Sequence, residues 1–355
     1  MPPVRRKKLI SLPVQLISAP EGILVKRGST EFLVKGSDAA KAIRLVLNAT
    51  RGAGASSHQI KKLFNRNDAD RVDRLIKSLT DRRLLIPYDT NATSKGKGET
   101  NLDVFLWDIG ESTRYAKGRL NTIRLSIVGV NYISRQLSLS LTASGYLNHV
   151  ILDQPQHRNR YFFTKAGHLV PDQWPTSVHQ RTVDNCDDFG DCLIATSDFG
   201  SQQSLCEWNR ICLEKKVPFL PVILKNLVGY VGPLVISGET PCFECFMARQ
   251  RSHSIDVQLE HLIDELAFEG QKTIGFHPSM AMSLGDIAAF EVCRFFSDTC
   301  AKREPGQIME VDLLGGRAIS RTVLKVPRCA ACSPLHRSSV TNIKKVLFPE
   351  DRQSF

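Results

Sequence analysis

Within the first ninety residues, the spacing of hydrophobic residues changes from one typical of strands to one typical of helices. Short aliphatic runs come first, at residues 14–17, 23–27 and 32–34, and turn-forming residues separate them at 20–22 and 27–29. Runs of this length between turns that contain glycine or proline are typical of β-strands. The sequence therefore predicts three short strands at its beginning.

A helical period replaces the strand pattern after residue 36. Three helices are predicted, each beginning at a polar capping residue. The caps are Ser37 or Asp38, Ser56 or Ser57, and Asn67 or Asp68. The third helix has apolar residues at i, i+3, i+4 and i+7 from Val72, and a short strand follows at 84–86. Strands followed by three helices predict a winged helix-turn-helix domain over residues 1–88.

A winged helix can bind DNA or a peptide. Asp68, Asp70 and Asp73 lie at the start of the third helix, where a recognition helix would meet phosphates, and they argue against DNA. In the second use, the edge strand accepts an added peptide strand beside the third helix. A docking domain of another purpose is the remaining alternative. The segment resembles the RiPP recognition element, the leader-peptide-binding winged helix of ribosomal natural-product biosynthesis.

Residues 89–100 have no apolar side chain larger than alanine, which predicts a flexible linker. Beyond it, apolar runs of strand length alternate with helical patterns. The runs lie at 123–130, 149–152, 192–198 and 218–224. This alternation predicts an α/β domain over 101–355, built on a mainly parallel, Rossmann-like sheet. A long apolar helix at 280–296 and a hairpin formed by 309–313 and 320–324 complete it.

The first strand of this domain ends at an incomplete glycine loop. The positions of a G-x-G-x-x-G motif are occupied by Gly129, Asn131 and Ser134, so that only the first glycine remains. Glycines in that motif let backbone N–H groups approach a phosphate closely. The pattern therefore predicts the fold of a dinucleotide-binding unit and weak phosphate binding.

Four cysteines form two pairs, each with a spacer of two residues: Cys242 and Cys245, and Cys329 and Cys332. This spacing lets both sulfurs of a pair contact one ion, and four thiolates form a closed tetrahedral zinc site. A closed site has no open position for substrate, so the predicted zinc is structural. Reduced thiols in surface turns, or disulfides, are the alternatives. The neighbouring Pro241 and Pro327 favour the turns of zinc knuckles.

Charge and hydropathy limit the partners and the cellular compartment that we expect for the chain. The net charge is +11, with basic residues scattered beyond the N-terminus, which favours an anionic partner such as an acidic peptide over nucleic acid. No run of 18 or more apolar residues exists, and no signal-peptide core follows the basic N-terminus. We therefore expect a cytoplasmic protein without a membrane partner. Formation of a homodimer is left open.

The chain resembles the ThiF/MoeB family, the bacterial relatives of ubiquitin-activating enzymes. The resemblance rests on the α/β pattern and on residues 231–234, 238–245 and 327–332. With a peptide-binding winged helix in front, the resemblance covers nearly the whole chain and narrows to two RiPP branches. One contains the ocin-ThiF-like proteins, the leader-peptide-binding partners of azol(in)e cyclodehydratases. The other is the adenylating branch typified by the microcin C-type enzyme. Both branches have the cysteine knuckles.

The resemblance also implies nucleotide-binding roles. Asp153 matches the acid that binds ribose, Arg160 resembles the arginine that neutralises phosphate, and Asp198 matches the acid that holds Mg²⁺. The family's lysine is missing from residues 167–183. With Asn131 and Ser134 in place of glycines, these positions are predicted to be vestigial. ATP is a cofactor only if the chain belongs to the adenylating branch.

The resemblance implies a scaffold without catalytic residues of its own. The winged helix would capture a precursor peptide's leader, and the ThiF-like body would dock a YcaO-type, ATP-dependent cyclodehydratase, raising the effective concentration of the substrate. The predicted leader contacts are Glu31, Phe32, Leu33, Val34, Arg71, Leu75 and Arg82. The alternatives are adenylation of a ribosomal peptide by this chain, and a DNA-binding regulator.

Overall fold

The computed structural model describes residues 8–28, 30–87, 100–109, 118–174, 188–199, 201–253, 258–259, 262, 275–296 and 306–333. The chain divides into two compact units, Met1–Gly118 and Arg119–Phe355. The predicted linker at 89–100 lies outside the described residues except for Thr100. The predicted domain boundaries therefore stay a prediction.

The first unit contains two small antiparallel sheets. Its strands are β1 Lys8–Ser11, β2 Gln15–Ala19, β3 Gly22–Arg27, β4 Thr30–Lys35, β5 Ala55–Ser56 and β6 Leu85–Pro87. One sheet has the strand order β2-β3-β4 and the other has the order β5-β1-β6. Among the described residues, β4 pairs with β3 on one side only, and we call its other side the free edge of β4.

The described residues of this unit also form the helices α1 Ser37–Ala49, α2 Ser57–Lys61, α3 Ala69–Asp81 and α4 Asn101–Ile109. A capping box begins α2, because the Ser56 hydroxyl accepts from the Gln59 N–H and the Gln59 side chain accepts from the Ser56 N–H. α3 buries Val72, Ile76 and Leu79, as its apolar spacing predicts.

The core of the first unit forms where β3 meets the helices. Ile23 and Val25 of β3 lie in one buried cluster with Val46, Ile60 and Leu79. The three predicted strands, the three helices and the strand near residue 85 are all present individually. β1 and β5 are additional, because such short strands carry little periodicity and depend on distant pairing partners. The assignment of this arrangement as a winged helix stays a prediction.

A sheet of seven strands organises the second unit. The strands are β7 Leu125–Val128, β8 His149–Leu152, β9 Cys192–Ser197, β10 Phe219–Lys225, β11 Val228–Val231, β12 Gln307–Asp312 and β13 Arg317–Thr322. Their order is β13-β12-β11-β10-β9-β7-β8. The predicted hairpin near the end of the chain is confirmed as the antiparallel pair β12–β13.

The prediction of a mainly parallel sheet was wrong for half of it. β8, β7, β9 and β10 pair in parallel, whereas β10, β11, β12 and β13 pair antiparallel. The direction reverses at a two-residue turn formed by Asn226 and Leu227, both with positive φ (50° and 65°). Hairpin turns of this kind usually carry glycine. Leucine at the second position conceals the turn from a sequence analysis.

Helices cover both faces of the sheet. They are α5 Tyr132–Ala143, α6 Gln202–Lys215, α7 Phe243–Arg251 and α8 Pro278–Phe296. α5 and α8 contribute to one buried cluster, α6 and α7 to a second, and sheet residues alternate between the two. Gly285 of α8 lets the helices approach closely, since a Cβ there would lie 2.6 Å from the Ile133 carbonyl oxygen. Within the described residues, no helix combines the length and the apolar character that crossing a bilayer requires.

Candidate functional site

The two cysteine pairs meet in the second unit. The four sulfurs of Cys242, Cys245, Cys329 and Cys332 all lie within 4.8 Å of one another. Cys242 precedes α7 as its N-cap residue, and Cys245 lies in its first turn. The second pair comes from the loop after β13, 87 residues further along the chain. This group could hold a metal ion, as the spacing predicts.

The distances between these sulfurs fit a tetrahedral ion. The Sγ atom of Cys242 lies 3.8 Å from that of Cys245 and 3.6 Å from that of Cys329, and Cys245 and Cys332 are 3.5 Å apart. Four thiolates at about 2.3 Å from Zn²⁺ would be about 3.8 Å apart. A disulfide needs about 2.05 Å. Hydrogen bonds to Cys245 and Cys332, together with burial, raise the pKa of the Cys242 thiol.

The N-terminus of α5, where a nucleotide phosphate would bind in a related fold, is capped by the chain itself. The Asn131 side chain accepts from the Ser134 N–H, and the Ser134 hydroxyl accepts from the Asn131 N–H. The Asn131 amide also donates to the carbonyl oxygens of His157 and Thr196, at 3.1 and 3.0 Å. Asn131 and Ser134 are completely buried. The two positions that depart from the glycine motif thus form an internal hydrogen-bonded network.

Gly129 leaves the space that this hydrogen-bonded network occupies. Its φ is +106°, and a Cβ at this position would lie 2.8 Å from the Asn131 amide nitrogen and 2.8 Å from the Thr196 carbonyl oxygen. The remaining glycine of the motif is therefore required by the packing of Asn131 against the backbone. The presence of Gly129 is therefore not a sign of a phosphate-binding site.

Asp198 brings a carboxylate to the same helix end. Its Oδ2 accepts from the Tyr132 N–H and from the Asn159 side chain, both at 3.0 Å. Complete burial raises the pKa of Asp198 to about 6. The positive end of the helix dipole thus has a protein carboxylate as its anion.

Asp153 also has an internal partner. The Arg158 guanidinium donates to both of its carboxylate oxygens, each at 2.7 Å. The Asp153 side chain is only 2% exposed and that of Arg158 is 30% exposed. Arg160 is exposed, and no described residue forms an ion pair with it. The acid that would bind ribose is therefore held by an arginine that the sequence analysis did not single out.

His157 is a second residue that sequence reasoning missed. It is completely buried, one ring nitrogen lies 3.0 Å from the Thr196 carbonyl oxygen, and the other lies 2.8 Å from the Ser204 hydroxyl. Burial lowers the pKa of His157 to about 4, so the ring is neutral at physiological pH. A single histidine in a polar stretch gives no sequence signal for this position.

The predicted peptide contacts lie on two elements of the first unit. Along β4, Glu31 and Leu33 are exposed while Phe32 and Val34 face the core. Leu75 of α3 packs against the same core, and the Arg82 guanidinium lies 4.4 Å from the centre of the Phe32 ring. The free edge of β4 and the end of α3 are therefore neighbours. Glu31 pairs with Lys26, and Arg71 pairs with Asp68.

Comparison with known proteins gives similarity of fold. E. coli MccB, in a structure with ATP, aligns over 92% of this chain and 100% of its own, with a TM-score of 0.63 and 16% identity. The microcin C7 biosynthetic enzyme MccB in complex with N-formylated MccA gives 0.65 over the same shares. A heterocyclase in complex with substrate and cofactor gives 0.58 at 16% identity, over 92% of this chain and 40% of its own.

No protein-family model matches the sequence, and no curated protein matches it. The similarity to MccB and to the heterocyclase therefore concerns how the chain folds. Its chemistry has to be argued from its own residues.

Proposed function

We propose that this chain is a leader-peptide-binding scaffold in RiPP biosynthesis, which presents a precursor peptide to a YcaO-type, ATP-dependent cyclodehydratase and does not adenylate the peptide itself. The observation that carries the proposal is the self-occupied helix end at α5. Asn131 and Ser134 cap each other there, and Asp198 accepts from the Tyr132 N–H, so these side chains lie where a phosphate would bind.

Electrostatics gives the physical reason. A triphosphate at this helix end would meet the Asp198 carboxylate, which hydrogen bonds already hold in place, unless a Mg²⁺ ion lay between the two. The charges of the phosphates and of the Asp198 carboxylate would repel each other, and burial strengthens this repulsion. At the position of the ribose acid, Arg158 donates one hydrogen bond to each oxygen of Asp153, so a ribose hydroxyl would share this carboxylate with Arg158. ATP binding would require several buried hydrogen bonds to break at once.

The predicted peptide-binding surface on the first unit supports the proposal that the chain binds a leader peptide. No described residue pairs with the outer edge of β4, and a bound strand would gain affinity from its backbone groups without sequence specificity. Leu75, Phe32 and Arg82 beside that edge would contribute the specificity. Arg71 and Arg82 also suit an acidic leader, although Asp68 already pairs with Arg71. Fold similarity to an MccB structure that contains N-formylated MccA is consistent with a peptide ligand.

The four cysteines are proposed to bind Zn²⁺ as a structural ion. Their sulfur spacing suits thiolate ligands around zinc, and three of the four residues are buried. Zinc would supply a cross-link between the start of α7 and the loop after β13. It takes no part in chemistry, since four protein ligands leave no open position.

Adenylation of a peptide by this chain is the second candidate function. It is favoured by the similarity in fold to MccB, for which a structure with ATP exists, and by the presence of Asp153 and Asp198. ATP–pyrophosphate exchange with the cognate precursor distinguishes the two candidates. The scaffold binds the leader in a fluorescence anisotropy titration and gives no exchange. Exchange above the level of a heat-denatured control would overturn the scaffold proposal.

A further inference from the structure

A cavity of about 470 Å³ lies between α6, α7 and the loop of the second cysteine pair. Each helix contributes four residues at i, i+3, i+4 and i+7, counted from Gln203 on α6 and from Glu244 on α7. The loop contributes Val326, Arg328, Cys329 and Ala330. We call this cavity the knuckle groove. It lies on the sheet face opposite α5 and takes no part in the nucleotide-like network.

The geometry points to a helix as the occupant. Residues at this spacing form one continuous stripe on each helix, and each stripe borders the groove over about two turns, or about 10 Å. An amphipathic helix inserts its apolar residues between such stripes at the same spacing. Met247, which is 2% exposed, and the partly buried Val326 are apolar residues that line the groove.

The charges around the groove select an acidic occupant. Arg210 and Glu244 neutralise each other through two hydrogen bonds, at 2.6 and 3.1 Å. The remaining charged residues that line the groove are Glu207, Arg251 and Arg328. Both of these arginines are exposed, and neither forms an ion pair with a described residue. The groove therefore has two available guanidinium groups against one carboxylate.

We propose that the knuckle groove binds an acidic amphipathic helix of a partner protein. That this partner is the cyclodehydratase rests on the proposed function; the preference for an acidic helix does not. The helix would place an aliphatic residue over Met247 and carboxylates beside Arg251 and Arg328. Leader binding at β4 would be a separate event, carried by residues of the first unit.

The test uses the full chain and two designed, fluorescein-labelled helical peptides. One has leucine at i, i+3, i+4 and i+7 with flanking glutamates, and the other has lysine in place of every glutamate. We expect the acidic peptide to bind at least tenfold more tightly than the basic one by anisotropy. In ¹³C-methyl spectra it should shift the resonance of Met247 and leave that of Met280, in the opposite core, in place.

Charge reversal locates the site. Arg251→Glu combined with Arg328→Glu should weaken acidic-peptide binding about tenfold or more, whereas Arg249→Glu, on α7 but outside the groove, should change it less than about twofold. Equal loss in both variants, or an unshifted Met247 resonance, would overturn the proposal. So would loss of binding in Leu75→Glu, which would assign the peptide to the first unit. Pyrophosphate exchange and leader binding, measured on the same variants, test the proposed function separately.

Discussion

The guanidinium of Arg158 holds the carboxylate of Asp153 through two hydrogen bonds of 2.7 Å. They lie five positions apart in sequence, and the carboxylate is almost completely buried. An acid that could have received a ribose hydroxyl is thereby converted into half of an internal ion pair. The pair links the end of β8 to the segment that supplies His157 and Asn159.

Arg158→Met should destabilise the second unit strongly, because it leaves the Asp153 carboxylate buried without a partner. We expect the free energy of unfolding to fall by about 2 to 4 kcal/mol. This is at the lower end of what breaking a buried ion pair costs, because Arg158 is partly exposed. Urea unfolding measures it. Arg124→Met is the matched control: it removes a pair with Asp188 in which both side chains are mostly exposed, and should cost less than about 1 kcal/mol. Equal losses in the two variants would contradict a buried role for Arg158.

Asn131→Gly restores a glycine of the nucleotide-binding motif, and we expect it to lower stability without creating ATP binding. The variant loses the cap of α5 and the bonds to His157 and Thr196, at a cost of about 1 to 3 kcal/mol. Asp198 still occupies the helix end, so calorimetric titration with ATP and Mg²⁺ should give no heat of binding. Micromolar ATP affinity in this variant would show that Asn131 alone blocks the site.

Asp198 and His157 should make opposite contributions to the pH dependence of stability. The pKa of Asp198 is raised to about 6, so folding favours its protonated form and this residue lowers stability as pH rises from about 4 to 6. The pKa of His157 is lowered to about 4, so folding favours its neutral form and this residue raises stability as pH rises from about 4 to 6.5. Each contribution is about 3 kcal/mol.

Because the two contributions cancel, single substitutions should expose them. In Asp198→Asn the stability should rise with pH between 4.5 and 6.5, and in His157→Gln it should fall. Urea unfolding at several pH values measures both slopes against that of the unmodified protein. Parallel slopes in all three proteins would mean that neither residue changes its pKa on folding.

Cys245→Ser and Cys332→Ser should each remove the metal and loosen the loop after β13. Three thiolates leave the tetrahedron incomplete, and serine does not replace a thiolate ligand at neutral pH. Zinc content per chain, measured by mass spectrometry after dialysis, should fall from about one to near zero. Cys206→Ser is the control, because Cys206 lies outside the cluster. Full zinc retention in both cluster variants would exclude a four-cysteine site.

Leu75→Glu and Phe32→Ala should weaken leader binding, since both residues are predicted leader contacts and are only partly buried against the core of the first unit. A loss of about tenfold is expected from removing one apolar contact of this size. Anisotropy with the labelled leader measures it. Lys77→Glu, exposed on another side of α3, should leave the affinity within about twofold after correction for net charge. The same loss in Lys77→Glu would place the peptide elsewhere.

The individual elements and the cysteine pairs could be predicted from sequence, because their signals are local. Val72, Ile76 and Leu79 recur at the period of a helix, and the two-residue spacer between Cys242 and Cys245 fits one ion whatever surrounds it. The reversal of strand direction after β10 was missed. It depends on positive φ at Asn226 and Leu227, and leucine seldom adopts that conformation.

Only the tertiary structure decided what occupies the helix end at α5. Asn131 meets Thr196 across 65 positions in sequence, and Tyr132 meets Asp198 across 66. Such contacts follow from the register of neighbouring parallel strands, which no local period encodes. The sequence by itself determined that two glycines of the motif were missing. Packing determined that the groups in their place bond to one another, and that Arg158 is the partner of Asp153.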